Sequence, residues 1–143
     1  PDGLNKRQIA VMAGYAMKGG AFNNAFSYLK VREAFASSGG HFAITSIGLK
    51  ALGESWQPLP QGDELFQYWM NQLDQAAREI LRVLYENHPK EMSKPEIAAL
   101  TNSSTGGPYE AAGGAFNNAL SKLRTLMLIE GRQRMKACEE FFV

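Results

Sequence analysis

The chain contains one heptad twice, first as Gly19-Gly20-Ala21-Phe22-Asn23-Asn24-Ala25 and again as Gly113-Gly114-Ala115-Phe116-Asn117-Asn118-Ala119. The two copies lie 94 positions apart, too far for the short period of a solenoid repeat. The similarity continues after the heptad, where Ser27 returns as Ser121, Leu29 as Leu123 and Lys30 as the like-charged Arg124. We therefore interpret the chain as two copies of one small domain.

The composition sets mild limits on this interpretation. A chain of 143 residues is one domain by length, although two domains of about 60–75 residues are possible if they share a core. The net charge of +1 neither requires nor excludes a polyanionic partner, and the single Cys138 excludes an internal disulfide framework. No apolar run reaches the roughly 18–20 residues of a membrane span, and no signal peptide is visible. We expect a soluble, cytoplasmic protein without a membrane partner, and the start at Pro1 suggests a piece of a longer chain.

The residues around the first heptad predict two helices and a hairpin. A short helix is predicted from Lys6 to Gly14, followed by a turn in which Gly19 and Gly20 are free to adopt positive φ. The helix predicted at 21–32 has apolar residues at i, i+3, i+4 and i+7, which form one buried stripe. These residues are Phe22, Ala25, Phe26 and Leu29.

After this helix the sequence predicts a β-hairpin with strands at 33–36 and 41–45 around the turn 37–40. Thr45 is the expected N-cap of a closing helix that extends to Leu52. A linker at 54–62 follows, because two prolines and a glycine exclude regular structure there. The predicted organisation is a first repeat at 1–53, whose leading helix is missing or truncated, the linker at 54–62 and a second repeat at 63–143.

The second repeat begins with two predicted helices that have no counterpart before the first repeat. Asp63 and Asp74 are their expected N-caps, and Ser93 with Glu96 forms a capping box at the start of a third helix. The helix at 115–127 then repeats the buried stripe. The second copy has about six or seven extra residues around 105–110. Trp56 and Trp69 are expected to pack between the domains.

The order helix, short helix, turn, amphipathic helix and hairpin is typical of a winged helix-turn-helix. The stretch 42–52 resembles the end of the wing in MarR-like proteins, where a strand leads into a Thr-x-x-Gly-x-x-Ala-Leu helix start, here Thr45, Gly48, Ala51 and Leu52. The run 113–124 resembles the duplicated tail of bacterial HerA-type ATP-binding proteins. These resemblances imply a fold that is mainly α with small β-hairpins, as two tandem winged helices. They also imply attachment to a larger ATPase.

The face of each heptad helix opposite its apolar stripe is predicted to contact DNA, so Asn23 and Asn117 are expected to be largely exposed. Asparagine suits bidentate contact with adenine, and serine, lysine and arginine suit phosphates or guanine. Local charge agrees, since residues 1–35 have a formal charge of +3 and residues 113–136 a charge of +4. The predicted DNA-binding residues are Lys18, Asn23, Asn24, Ser27, Lys30, Asn117, Asn118, Ser121, Lys122, Arg124, Arg132 and Arg134.

Other interpretations of the repeated residues remain open. The asparagines can instead cap the helix or form hydrogen bonds across an interface between the repeats. The glycine pairs can serve a turn or present backbone N–H groups to a phosphate. Many winged helices bind proteins rather than DNA, so a protein-interaction or dimerisation module, including a homo-oligomer, is the alternative function.

Enzymatic chemistry has little support in the sequence. There is no Gly-x-x-x-x-Gly-Lys-Ser/Thr phosphate loop and no Gly-x-Ser-x-Gly nucleophile motif. One cysteine and two histidines do not make an ordinary structural zinc site. The sequence therefore predicts a non-enzymatic module that binds duplex DNA, with no metal and no cofactor.

Overall fold

The structure, a computed structural model, describes residues 3–55 and 57–143. The chain divides into two compact units, Pro1–Pro58 and Leu59–Val143, and the division falls inside the predicted linker. Both units are mainly α with one small three-stranded antiparallel sheet each, which confirms the coarse fold class. Trp69 is buried in unit 2, whereas Trp56 lies outside the described residues. None of the helices in the described part of the chain is long and apolar enough to span a bilayer.

Unit 1 follows the order strand, helix, helix, two strands, helix. Its elements are β1 (Leu4–Asn5), α1 (Lys6–Met12), α2 (Gly20–Val31), β2 (Phe35–Ser38), β3 (His41–Ile44) and α3 (Ser46–Leu52). β3 is the central strand and pairs antiparallel with both β1 and β2. Asn5 caps α1 through a capping box with Gln8, and Thr45 caps α3 by accepting the Gly48 N–H at 3.1 Å. The prediction for Thr45 is confirmed.

Unit 2 begins with two helices and then repeats the order of unit 1. Its elements are α4 (Gly62–Gln72), α5 (Gln75–Glu86), β4 (Met92–Ser93), α6 (Lys94–Ala99), α7 (Gly114–Thr125), β5 (Ile129–Glu130), β6 (Arg134–Ala137) and a 3₁₀ helix (Glu139–Phe142). Asp74 caps α5 and Ser93 with Glu96 forms the capping box of α6, as predicted. The prediction for Asp63 is wrong, since Gln61 is the N-cap of α4 and Asp63 instead accepts the Tyr85 hydroxyl at 2.8 Å.

The two sheets have the same connectivity. In each, the strand before the short helix pairs with the last strand, which also pairs with the strand after the heptad helix. β1 and α1 correspond to β4 and α6 at a spacing of 88 positions, whereas α2 corresponds to α7 at 94. Six additional residues therefore lie between α6 and α7. The two-residue strands β1 and β4 were not predicted, because two residues are too short to show alternation.

The additional residues of unit 2 form a loop that is hydrogen-bonded to itself. The Ser103 N–H donates to the Gly107 carbonyl at 2.8 Å, and Gly106 and Gly107 adopt φ of 84° and 89°, a region that favours glycine. A hydrogen bond also joins the two ends of the loop, because the buried Thr101 Oγ1 accepts the Tyr109 N–H at 3.1 Å. The extra length is thus contained outside the repeated elements.

Two residues after the end of each heptad helix lies a residue in the left-handed conformation, Glu33 with φ 55° and Met127 with φ 59°. A non-glycine residue rarely adopts this conformation, yet it recurs at the same repeat position. The prediction of a strand from Glu33 is wrong, since this residue reverses the chain and β2 begins only at Phe35. Equivalent bonds close both turns: the Ala34 N–H to the Leu29 carbonyl at 3.1 Å and the Leu128 N–H to the Leu123 carbonyl at 3.0 Å.

The apolar stripe of the heptad helix is buried more completely in unit 2 than in unit 1. Phe22 and Phe116 are buried at 5% and 0% exposure, which confirms which side of each helix faces the core. Further along, Leu123 is fully buried, but the equivalent Leu29 is 44% exposed. α5 packs against α7 and β6, and no helix covers α2 within the described residues of unit 1.

A carboxylate fixes α5 to the end of α6. Glu79 Oε2 accepts the Asn102 N–H at 2.9 Å and forms an ion pair with Arg82 at 2.9 Å, and Arg82 also donates to the Leu100 carbonyl at 3.1 Å. The hydrogen bond from Arg82 is the main reason that the pKa of Glu79 lies below its ordinary value, and the Asn102 N–H contributes. Both contacts favour the ionised carboxylate.

We predict unequal losses of stability for a matched pair of substitutions. Leu123→Ala should lower the unfolding free energy of unit 2 by about 2–5 kcal/mol, because it opens a cavity beneath α5. Leu29→Ala at the equivalent position should lower the stability of unit 1 by much less, since Leu29 is partly in water. Urea unfolding followed by circular dichroism measures both, and equal losses would contradict the difference in burial.

We also predict that unit 2 loses stability in acid in part through Glu79. Because the folded pKa of this carboxyl is lowered, its contribution is present above its unfolded pKa and disappears as pH falls through the folded value. Urea midpoints measured between pH 7 and pH 3 should fall less steeply for Glu79→Gln than for the unchanged chain. Glu64→Gln, on the exposed surface of α4, serves as the control and should keep the original slope.

Candidate nucleic-acid interface

The side chain of the first asparagine in each heptad forms hydrogen bonds within its own unit. Asn23 Oδ1 accepts the Lys6 ammonium at 2.7 Å, and Asn23 Nδ2 donates to the Gly19 and Met17 carbonyls at 3.0 and 3.4 Å. Unit 2 repeats the arrangement: Asn117 Oδ1 accepts Lys94 at 2.8 Å, and Asn117 Nδ2 donates to the Gly113 and Ala111 carbonyls at 2.9 and 3.0 Å. We call these contacts the lysine–asparagine bridge.

The bridge explains why the residue must be asparagine. One oxygen faces an ammonium and one NH₂ faces two carbonyls, so the side chain needs an acceptor at one end and a double donor at the other. Asn23 and Asn117 are accordingly half-buried, and the prediction that they are largely exposed is wrong. The asparagine side chain neither caps the heptad helix nor bonds to the other repeat in these contacts, so its role differs from both structural alternatives considered for it.

Sequence reasoning missed Lys6 and Lys94 as partners in this bridge. The two lysines open α1 and α6, and their spacing of 88 differs from the 94 of the heptads, so the repeat is hidden by the additional loop. The alignment Leu4-Asn5-Lys6 with Met92-Ser93-Lys94, followed by Ile9-Ala10 and Ile97-Ala98, could have revealed it.

The two glycines of each heptad have different roles. Gly19 and Gly113 are N-caps with φ of −71° and −69°, so the expected positive φ is absent. A Cβ on either would lie 3.1 Å from a carbonyl oxygen, of Ala16 or Glu110, which favours glycine for close approach. Gly20 and Gly114, by contrast, face open space. Their backbone has no steric need for glycine within the described chain.

The second asparagine and the following serine form the outward side of each helix. Asn24, Ser27, Asn118 and Ser121 are exposed, and each pair is identical in the two units. The side chains of Asn24 and Asn118 form no hydrogen bond with any residue in 3–55 or 57–143. Neither packing nor internal bonding therefore requires this repeated asparagine.

The predicted cations of unit 1 are exposed. Lys18 lies just before the heptad and Lys30 in the last turn of α2, and neither forms an ion pair within the described residues. Residues 3–55 contain six Lys or Arg and two Asp or Glu, a formal charge of +4. The field around α2 is thus positive, which favours an anionic partner.

Several predicted cations of unit 2 are engaged within the unit. Lys122 forms an ion pair with Asp74 at 3.0 Å, and Arg124 donates to the Gly131 and Arg132 carbonyls at 3.3 and 3.1 Å. Burial alone would raise the pKa of Asp74, but bonds from the Ala77 N–H and Lys122 outweigh it and lower the pKa. These contacts fasten α7 to the cap of α5 and to the β5–β6 hairpin.

The β5–β6 hairpin carries the two remaining predicted DNA-binding residues of unit 2, Arg132 and Arg134. Arg134 donates to the Glu91 carbonyl at 2.6 Å and lies 3.5 Å from the Glu96 carboxylate. The side chain of Arg132 is exposed at the hairpin tip, with no ion pair in the described part of the chain. Residues 57–143 contain nine Lys or Arg and eleven Asp or Glu, a formal charge of −2. Anion binding by unit 2 must therefore rely on local groups such as Arg132.

The described residues contain no group of three or more His, Cys, Asp or Glu side chains that could hold a metal ion. Burial raises the pKa of the Cys138 thiol to about 11, which keeps it protonated and unreactive near neutral pH. Comparison of the chain with protein-family models, with curated proteins and with solved structures yields no match.

We predict that the bridge stabilises unit 2. Asn117→Ala should lower the unfolding free energy by about 1–3 kcal/mol, because it leaves an ammonium and two carbonyls without their partner. Asn118→Ala, one residue further on the exposed side, is the matched control and should change it by less than about 0.5 kcal/mol. A double-mutant cycle with Lys94→Met measures the coupling, and additive losses would show that the two side chains act independently.

Proposed function

We propose that the chain is a tandem winged-helix module that binds duplex DNA through the outward sides of α2 and α7. The connectivity of each unit supports this proposal. A winged helix has a short strand, two helices joined by a turn and a hairpin whose last strand pairs with the first. In this fold the second helix reads the major groove and the hairpin forms the wing, which assigns the reading role to the heptad helices.

The observation on which the proposal rests is the repeated exposed asparagine. Asn24 and Asn118 are identical in the two units although their side chains form no hydrogen bond within residues 3–55 and 57–143, whereas Asn23 and Asn117 are explained by the bridge. An exposed amide on a helix can donate to and accept from one adenine edge at once. Ser27 and Ser121, one turn further on the same side, are suited to a phosphate or a base edge.

Backbone approach and charge support the same assignment. Gly20 and Gly114 leave open space at the first turn of each helix, where backbone N–H groups favour a phosphate. Lys18 and Lys30 add positive charge beside α2, and Arg132 adds it at the wing of unit 2. Because the formal charge is +4 in residues 3–55 and −2 in 57–143, we assign the larger share of nonspecific affinity to unit 1.

In this proposal the chain acts without catalysis, as a DNA-engaging or regulatory tail. The resemblance of the heptad region to the tail of HerA-type ATP-binding proteins supports a place beside an ATPase in the cytoplasm. The alternative function, a protein-interaction module, is favoured by one observation. Unit 1 exposes large apolar side chains such as Leu29 and Ile44, 44% and 52% exposed.

We predict salt-dependent binding to duplex DNA with separable contributions. Fluorescence anisotropy at two salt concentrations should show that Lys30→Ala and Arg132→Ala each weaken binding to all sequences and reduce the salt slope by about one unit. Arg78→Ala removes the same charge from the exposed side of α5 and is the control for Arg132→Ala. Absence of duplex binding at low salt would contradict the proposal.

The asparagines provide a second contrast in the same assay. Asn24→Ala and Asn118→Ala should each reduce the difference in binding free energy between preferred and random DNA by about 1–3 kcal/mol. Neither substitution should change the free energy of unfolding. Asn23→Ala should instead destabilise unit 1. If the preference for one sequence survives both outward substitutions, these asparagines do not read bases.

A further inference from the structure

The outward side of the heptad helix carries the same residues in both units. Four positions of α2 and α7 are exposed in both helices, and all four pairs are identical. Because α5 packs against α7 and still leaves these positions exposed, their exposure does not depend on a covering helix. We call the four pairs the shared face, which consists of Gly20 and Gly114, Ala21 and Ala115, Asn24 and Asn118, and Ser27 and Ser121.

Exposed residues at equivalent positions of the other repeated elements differ between the units. The spacing of α1 and α6 and the registers of the two sheets align four further pairs that are exposed in both units. None of these pairs is identical, and they are Arg7 and Pro95, Met12 and Leu100, Ala36 and Glu130, and His41 and Arg134. The surfaces of the two units have therefore diverged in these elements, whereas the shared face has not.

We propose that α2 and α7 recognise the same short base element, an adenine next to a thymine, so that the preferred duplex contains this element twice. This inference rests on the proposed function, since it requires that the outward sides of both helices enter the major groove. Two helices with the same side chains at the same positions present the same donors, acceptors and methyl groups to the bases. A common target explains why these exposed pairs are alike while the others differ.

The residue types of the shared face define the element. The asparagine amide can donate to and accept from the major-groove edge of adenine, and the alanine methyl group can contact the methyl group of thymine. In each unit the alanine and the asparagine are spaced i, i+3, so both lie on the same side of the first turn of the helix. The glycine before the alanine has open space where a Cβ would be, which allows the backbone to approach the groove.

The residues that follow the shared face differ in charge and in their contacts. Lys30 is exposed and forms no ion pair within the described residues, whereas the equivalent Arg124 donates to two carbonyls of its own unit. Tyr28 is replaced by Lys122, which forms an ion pair with Asp74. These differences change the attraction to phosphates rather than the contacts with bases. The two copies of the element are therefore read alike, and unit 1 binds its copy more tightly.

Selection from a library of random-sequence duplexes tests the inference with the full chain. The unchanged chain should enrich duplexes that carry two copies of one element. Asn24→Ala leaves unit 2 as the unit that reads the adenine, and Asn118→Ala leaves unit 1. Each variant should retain the preference for one copy, and the element retained by the two variants should be the same. Circular dichroism checks that both variants fold like the unchanged chain.

Synthetic duplexes built from the recovered sequence then measure the contribution of each copy. Replacing the adenine in either copy should weaken binding of the unchanged chain by about 5- to 150-fold, the loss expected for one bidentate contact. In each variant, only the replacement in the retained copy should have this effect. Lys18→Ala is the control for charge, because Lys18 has no charged counterpart at Ala112. It should weaken binding to all duplexes alike and leave the enriched element unchanged.

The possible results separate this inference from DNA binding itself. Retention of different elements by the two variants overturns the inference, although duplex binding and the proposed function remain. Enrichment by the unchanged chain of a single copy, of no sequence, or of an element without the adenine and thymine has the same meaning. If the unchanged chain binds no duplex even at low salt, the inference and the proposed function are both wrong.

Discussion

The lysine–asparagine bridge determines how the two helices of each unit meet. One amide joins the start of the first helix, through Lys6 or Lys94, to the N-terminal turn of the second, through the carbonyls before the heptad. A charge-assisted hydrogen bond of this kind is stronger than one between neutral groups, and it has a defined direction that apolar packing lacks. Because it joins the start of the first helix to the N-terminal turn of the second, it holds the heptad helix against the first helix in both units.

The bridge is the same in both units, but the surroundings of the heptad helix differ between them. Unit 2 covers its heptad helix with α5 and fastens Lys122 and Arg124 to neighbouring elements, while unit 1 leaves the same side open and replaces buried Leu126 with Arg32. One backbone arrangement therefore supports two surfaces: a closed, slightly acidic domain and an open, basic one. The proposed division of labour between the units follows from this difference in surface rather than from a difference in fold.

Several parts of the structure were predictable because they depend on local sequence. The burial of Phe22 and Phe116 and the caps at Thr45, Asp74 and Ser93 follow from periodicity and capping residues within a few positions. The roles of Asn23 and Asn117 were not predictable, since their partners lie 17 and 23 residues away and an asparagine on a helix is equally suited to the surface. The exposure of Leu29 also depends on a helix elsewhere, so periodicity alone placed it in the core.

The self-closed loop of unit 2 has a consequence for chain length. The Ser103 N–H donates to the Gly107 carbonyl, and the Tyr109 N–H donates to the Thr101 hydroxyl. These bonds hold the two ends of the loop together independently of the residues at its tip. The corresponding connection of unit 1 has six fewer residues, yet the same lysine–asparagine bridge forms between the helices that it joins. The length of the connection between α6 and α7 can therefore change at the tip of this loop, which makes the tip a suitable position for a label or an inserted peptide.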